Sequence, residues 1–238
     1  MKTNHHMIAA GIIGGCLIIA GVFIGSPWRA PKDSIPTLTV TGIAKESIVS
    51  DNVKWSFNIT RDVAKRELAK GYSQIAKDEA TVRSFLKEHG IEDAQVDILP
   101  VSVDQIYGSN GPILDQVTLR QYVTVKSPDV QGIAALANQL DPLFTAGIVI
   151  SSPQVEYLYS KLDEKQSEVL TKAMENATAI AENLSLKRGK RLGSVVSAVV
   201  KSVQLLPPGS SVTPDYATID TTTVNKELRV IAEVTFRL

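Results

Sequence analysis

The side chains that could carry chemistry are few, and their spacing builds no catalytic set. The chain has three histidines and one cysteine. His5 and His6 lie in a short polar flank at the N-terminus. His89 closes a helical pattern, where the helix dipole favours a cation, so a capping role is expected of it. A Ser-His-Asp relay needs a histidine with no other task, and none is left. Asp51, Asp97, Asp104, Asp115, Glu156 and Asp163 are scattered carboxylates. A glycosidase-type pair would require two of them to face each other, and no spacing singles out two. There is no H-E-x-x-H helix, phosphate-cradling glycine loop or calcium loop. Cys16 sits in an apolar run, so the chain beyond it has no thiolate nucleophile, disulfide or zinc-thiolate site. The expectation is a non-enzyme with no catalytic, cofactor-binding or metal-ligating residues.

Charge narrows the partners. Twenty-five basic and twenty-five acidic side chains give a formal net charge of zero, which removes the electrostatic footprint of nucleic-acid binding. The one dense basic cluster is Lys187-Arg188-x-Lys190-Arg191. Its plain reading is helix-end charge that complements the dipole, and the other is contact with an acidic partner or lipid headgroups.

These residues must be positioned by the elements around them. Residues 38–42 alternate as a strand, and Val53, Trp55, Phe57 and Ile59 give the next strand one apolar face, with Trp55 in the core. A helix is expected over 64–89, with Gly90-Ile91 as its C-cap and apolar partner, and with Gly71 weakening it locally by about 1 kcal/mol. Strands follow over 95–105 and 117–126. A shorter helix over 129–140 opens at Asp129 and ends or kinks at Asp141-Pro142. A broken strand covers 148–150 and 155–159, and a second long helix covers 162–184 with a small-residue stripe. The strand at 194–205 is apolar on both faces in part, which suggests a central position. The strand at 228–238 alternates most clearly. Together these predict an α+β fold: a largely antiparallel sheet with two long helices and one short helix on one face.

The N-terminus sets the compartment. Residues 7–25 carry no charge, and as a helix they would span roughly 28 Å, close to a bilayer's hydrocarbon core. The expected organisation is a flank at 1–6, a transmembrane anchor or uncleaved signal at 7–25, a linker at 26–36 and an α+β domain at 37–238. A cleaved signal peptide and a lipoprotein modified at Cys16 are the competing readings; the first has a bulky residue at −3 of each candidate cut site, Phe23 or Ile24, and in the second the apolar run continues past the cysteine. Trp28 and Arg29 fit a membrane-interface anchor. Basic residues on both sides of the span leave its orientation open.

The connection at 207–223 is far longer than a hairpin turn requires, and Val212, Tyr216 and Ile219 are its candidate oligomer or partner contacts.

Several tracts together resemble the SIMPL-domain family. They are Thr39-Val40-Thr41-Gly42, then Asp51 and the Trp55 strand; Thr145-Ala146-Gly147-Ile148; Ala173-x-x-x-Ala177-x-x-Ile180-Ala181-Glu182-x-Leu184; and Leu192-Gly193-Ser194-Val195 before a closing strand. The resemblance covers about 37–238 and implies a bacterial envelope protein, periplasmic or membrane-attached, in a family with ring-forming and oxidative-stress-linked members and no established catalytic residues. The expected location is the inner membrane as a single-pass protein with its domain facing the periplasm or exterior, or the periplasm after signal cleavage. The expected function is non-enzymatic, through self-assembly or an unidentified protein partner, in envelope or oxidative stress tolerance. A ligand-binding or scavenging module and a carboxylate-dependent hydrolase are the alternatives.

Overall fold

The computed structural model describes residues 36–109, 111–210 and 217–238. Strand β1 (Thr37–Val49) and strand β2 (Asn52–Ala64) follow each other directly, yet they do not pair. Each enters a different sheet. β2 pairs on one side with β5 (Gly111–Ser127) and on the other with β6 (Val149–Leu158). The short β3 (Val96–Ile98) and then β4 (Ser102–Gly108) line the far edge of β5. β1 pairs instead with β9 (Asn225–Arg237), whose other side takes β7 (Val195–Leu206) and, beyond it, the two-residue β8 (Thr218–Ile219). All pairings are antiparallel except β7 with β8. The expected α+β class is therefore present, but as two sheets and not one. Alternation tells which side chains share a face; it says nothing about which strand lies alongside.

Each sheet carries one long helix. α1 (Leu68–Glu88) lies on β2 and β5. The face of β2 beneath it holds Val53, Trp55, Phe57 and Ile59, all fully buried, and receives Ile75, Val82, Phe85 and Leu86 from the helix. Gly71 has a packing reason that outweighs its helix penalty. A Cβ there would stand 2.9 Å from side-chain carbons of Leu119 and Val63, so only glycine lets the first turns approach the sheet. α2 (Val130–Leu136) and α3 (Asp141–Thr145) close the same core with Ile133, Leu136 and Leu143. Asp129 caps α2 as expected, accepting from Gly132 N at 2.9 Å. Pro142 is the second residue of the second short helix, in the first turn, where its missing N–H costs nothing.

α4 (Leu162–Lys187) lies over β1 and β9. Its buried stripe is Val169, Ala173, Ala177, Ala181 and Ser185. Small residues let its backbone close on the sheet at Gly42, where a Cβ would sit 2.6 Å from Ala177 N. The two sheets meet at the β1–β2 turn. Ser50 N donates to Val224 O at 2.9 Å, Asp51 N donates to Leu158 O at 3.0 Å, and Tyr157 N donates to Thr221 O at 2.8 Å.

Among the described residues no helix is long and apolar enough to cross a membrane. The span expected at 7–25, with Trp28 and Arg29, lies outside the described residues.

Candidate functional site

The residues with chemical potential are tied to structural tasks. His89 Nδ1 donates to Phe85 O at 2.8 Å, the expected cap on the end of α1. Asp51 accepts from Ser160 N at 2.8 Å and Ser160 Oγ at 2.6 Å, which clasps the β1–β2 turn to the second residue after β6. Burial works to raise its pKa, but the bonds from Ser160 and Asn52 outweigh burial and hold it below the ordinary aspartate value. Lys126 pairs with Asp97 at 3.0 Å, Arg120 with Asp104 at 3.1 Å and Lys54 with Glu156 at 3.0 Å. Asp163 sits in the first turn of α4, and Asp115 is exposed. The structure brings none of these six together in a shared cleft. The resolved carboxylate shifts, at Glu46, Asp51, Glu168, Asp220 and Glu227, are all downward, opposite to what a general acid needs. Among the described residues there is no group of three or more His, Cys, Asp or Glu suited to a metal ion. A cleft of about 290 Å³ lies between His89-Gly90-Ile91 and α2, lined by Asp129, Ile133 and Gln139 among others. It is at the small end for a ligand site.

Charge clusters serve the framework too. Glu46 of β1 and Glu168 of α4 share Lys165 and Lys172 between them, and these bonds hold Glu168 down at about 2. All four side chains are solvated, so the lattice aligns helix and strand more than it stabilises them. Lys226 is fully buried, with its Nζ donating to Asp220 O at 2.7 Å and lying 3.3 Å from Asp220 Oδ2. Desolvation lowers the Lys226 pKa, and its facing carboxylate opposes that.

This last pair settles part of the long connection between β7 and β9. Asp220 N donates to Leu205 O at 2.8 Å, and Thr221 and Val224 accept from Tyr157 and Ser50. The return limb is thus held by its own chain, without a neighbouring subunit. Of the contacts proposed from sequence, Ile219 is 66 % exposed on β8, while Val212 and Tyr216 lie outside the described residues.

The surface without a structural task is the first half of β7. It is not the buried central strand suggested by its apolar faces. β8 reaches only Gln204 and Leu205, so from Val195 to Val203 the outer edge has no partner strand among the described residues. α4 covers β1 and β9 and stops short of β7. Val195, Val196, Val199 and Val200 are each about half exposed, although Val195 and Val200 pair in register with the buried Phe236 and Ala232. Sequence reasoning missed this surface because an apolar strand reads the same whether neighbours cover it or not. Just before it stands the basic cluster, exposed along its length.

A family model described as SIMPL, protein of unknown function (DUF541), matches residues 38–237. No curated protein matches the chain.

Proposed function

From the premise that this chain belongs to the SIMPL family, we propose that it is a non-enzymatic protein of the cell envelope that works by self-assembly or by binding a protein partner. The observation that carries this reading is β7. An open strand edge offers a row of backbone donors and acceptors, and proteins ordinarily blunt such edges with charge, proline or irregularity. Here the stretch from Leu192 to Val200 has no charged side chain and no proline. Bulges fall at Val195/Ser197 and Val200/Ser202, and between them the strand is regular. Addition of a strand to this edge would supply main-chain hydrogen bonds and cover the valines at once. Anchoring through 7–25, in the inner membrane and with the domain outside, would confine copies to one plane and make weak edge contacts effective. A role in envelope or oxidative stress tolerance is the corresponding physiological setting.

The test is light scattering of the full-length protein over a concentration series, joined to hydrogen exchange in native membranes. The expected result is protection of those amides of 196–200 that point away from β9, with a mass above one protomer or a co-purifying protein. Val199→Lys, at an exposed site, should abolish both while leaving the fold intact. A monomer at every concentration, with those amides exchanging freely in native membranes as well, would end the reading.

A further inference from the structure

We propose that the end of the domain at which the chain enters β1 is a docking surface for an anionic lipid bilayer, with the turn after α4 as its contact. This inference rests on the envelope reading above and deepens it. Three hydrogen bonds define that end. Leu238 N donates to Pro36 O at 2.8 Å, Gly193 N donates to Arg237 O at 2.9 Å, and Arg237 N donates to Ser194 O at 3.0 Å. The chain entry, the last residue and the segment leaving α4 are therefore neighbours. Gly193 keeps them so, since a Cβ there would stand 2.9 Å from Arg237 Cβ.

At this end α4 finishes in a turn built to project. Gly189 takes φ +66°, Gly189 N donates to Leu186 O at 3.0 Å and Lys190 N donates to Ser185 O at 3.0 Å, which satisfies the helix carbonyls and reverses the chain. The turn presents Lys187, Arg188, Lys190 and Arg191, all exposed. None of the four makes an ion pair among the described residues, whereas the exposed Lys45, Arg120, Lys126 and Lys201 each hold a carboxylate. No acidic residue occurs from Asn183 to Pro214. Directly before the cations stand large apolar side chains: Leu186 is 71 % exposed and Leu184 41 %. Unpaired cations around protruding leucines match the boundary of a bilayer, where the apolar groups enter the acyl region and the cations stay with the headgroups.

The occupant follows from the chain that precedes the described residues. Pro36 leads back through eleven residues, 26–36, to the uncharged run 7–25. Fully extended, such a linker spans at most about 40 Å. The end of the domain tethered to the anchor is thus the end that carries the basic turn, and the tether keeps it at high effective concentration beside the membrane. Docking there would also stand the open edge of β7, which begins four residues after Arg191, next to the bilayer, where a second copy in the same plane meets it laterally.

The test uses the full chain with Cys16→Ser and a fluorophore on a single cysteine, Leu186→Cys, reconstituted into vesicles of phosphatidylcholine alone or with about one-third phosphatidylglycerol. Lipid-borne bromine should quench this label in the anionic vesicles and much less in the neutral ones, and high salt should relieve it. A label at Tyr107→Cys, on the other sheet, should stay unquenched. Replacing Lys187, Arg188, Lys190 and Arg191 by Gln should weaken docking about fivefold per charge, several-hundred-fold together. Equal quenching in both vesicles, no quenching in either, or no loss in the four-fold Gln protein overturns the lipid assignment. Failure of the chain to float with vesicles at all overturns instead the membrane-anchored reading on which it rests.

Discussion

The two helix-on-sheet halves are built by the same plan and finished differently. α1 and α4 both end in a positive-φ glycine, Gly90 and Gly189, and both place the following amide on the carbonyl five residues back. After α1 that following residue is Ile91, which plugs into the core. After α4 it is Lys190, which stands in solvent. The cores differ in the same sense. Beneath α1 lie Trp55, Phe57 and Leu119, which with Phe85 of the helix itself each stabilise by roughly 2–3 kcal/mol when buried. Beneath α4 the helix contributes mostly alanines, and cohesion comes from close backbone approach. The first half is closed around its own side chains. The second has a thinner core and leaves β7 and the basic turn outside it, so it is the half with something left to gain from an occupant.

The strongest way to break that comparison is Trp55→Ala. Its side chain is fully buried, and truncation should destabilise the protein by about 3–5 kcal/mol in urea melts. In a Trp28→Phe background, which leaves Trp55 as the sole tryptophan, native fluorescence should also resist iodide. A cost below 1 kcal/mol, or ready quenching, would mean that the first half is not the closed one. Gly42→Ala tests the second half by its own logic. The added methyl meets helix backbone at Ala177 N, which cannot rotate away, so the loss should be about 1–3 kcal/mol despite the gain of apolar volume. The same change at Gly90, where nothing lies within 4 Å, would be felt only through its φ of +78°.

What could be read from the sequence follows the same division. The first half was legible in detail: the buried face of β2, the glycine cap with Ile91, the Asp129 N-cap and the C-terminal histidine all follow from local periodicity and end chemistry. The small-residue stripe of α4 was legible as well, and so was close approach to a sheet. What could not be read was partnership. Nothing in the alternation of β1 and β2 says that adjacent strands enter separate sheets, and an apolar strand gives the same pattern buried or bare. The long connection likewise hid its fastening, because the pairing of Lys226 with Asp220 depends on where β8 falls, not on their spacing.

The smallest effect expected is at the joint between the halves. Asp51 is the one side chain that clasps the β1–β2 turn to Ser160, with both a backbone and a hydroxyl donor. Its carboxylate is solvent-exposed, so Asp51→Asn should cost only about 1 kcal/mol. The sign of the pH dependence is fixed by the direction of its shift. Because the folded pKa lies below the ordinary aspartate value, the charged form stabilises the fold above that value, and the contribution fades as pH falls through the lower folded pKa. The difference between wild type and Asp51→Asn should therefore stay constant at pH values well above the ordinary aspartate range and shrink as pH falls through the lower folded pKa. Trp55 fluorescence reports only on the first half, whereas far-ultraviolet circular dichroism reports on both. If the clasp couples the halves, the two transitions coincide in the wild type and draw apart in the variant. Coincident transitions in both proteins, with an unchanged midpoint at neutral pH, would show that the backbone bonds at Ser50, Asp51 and Tyr157 join the halves without help from the carboxylate.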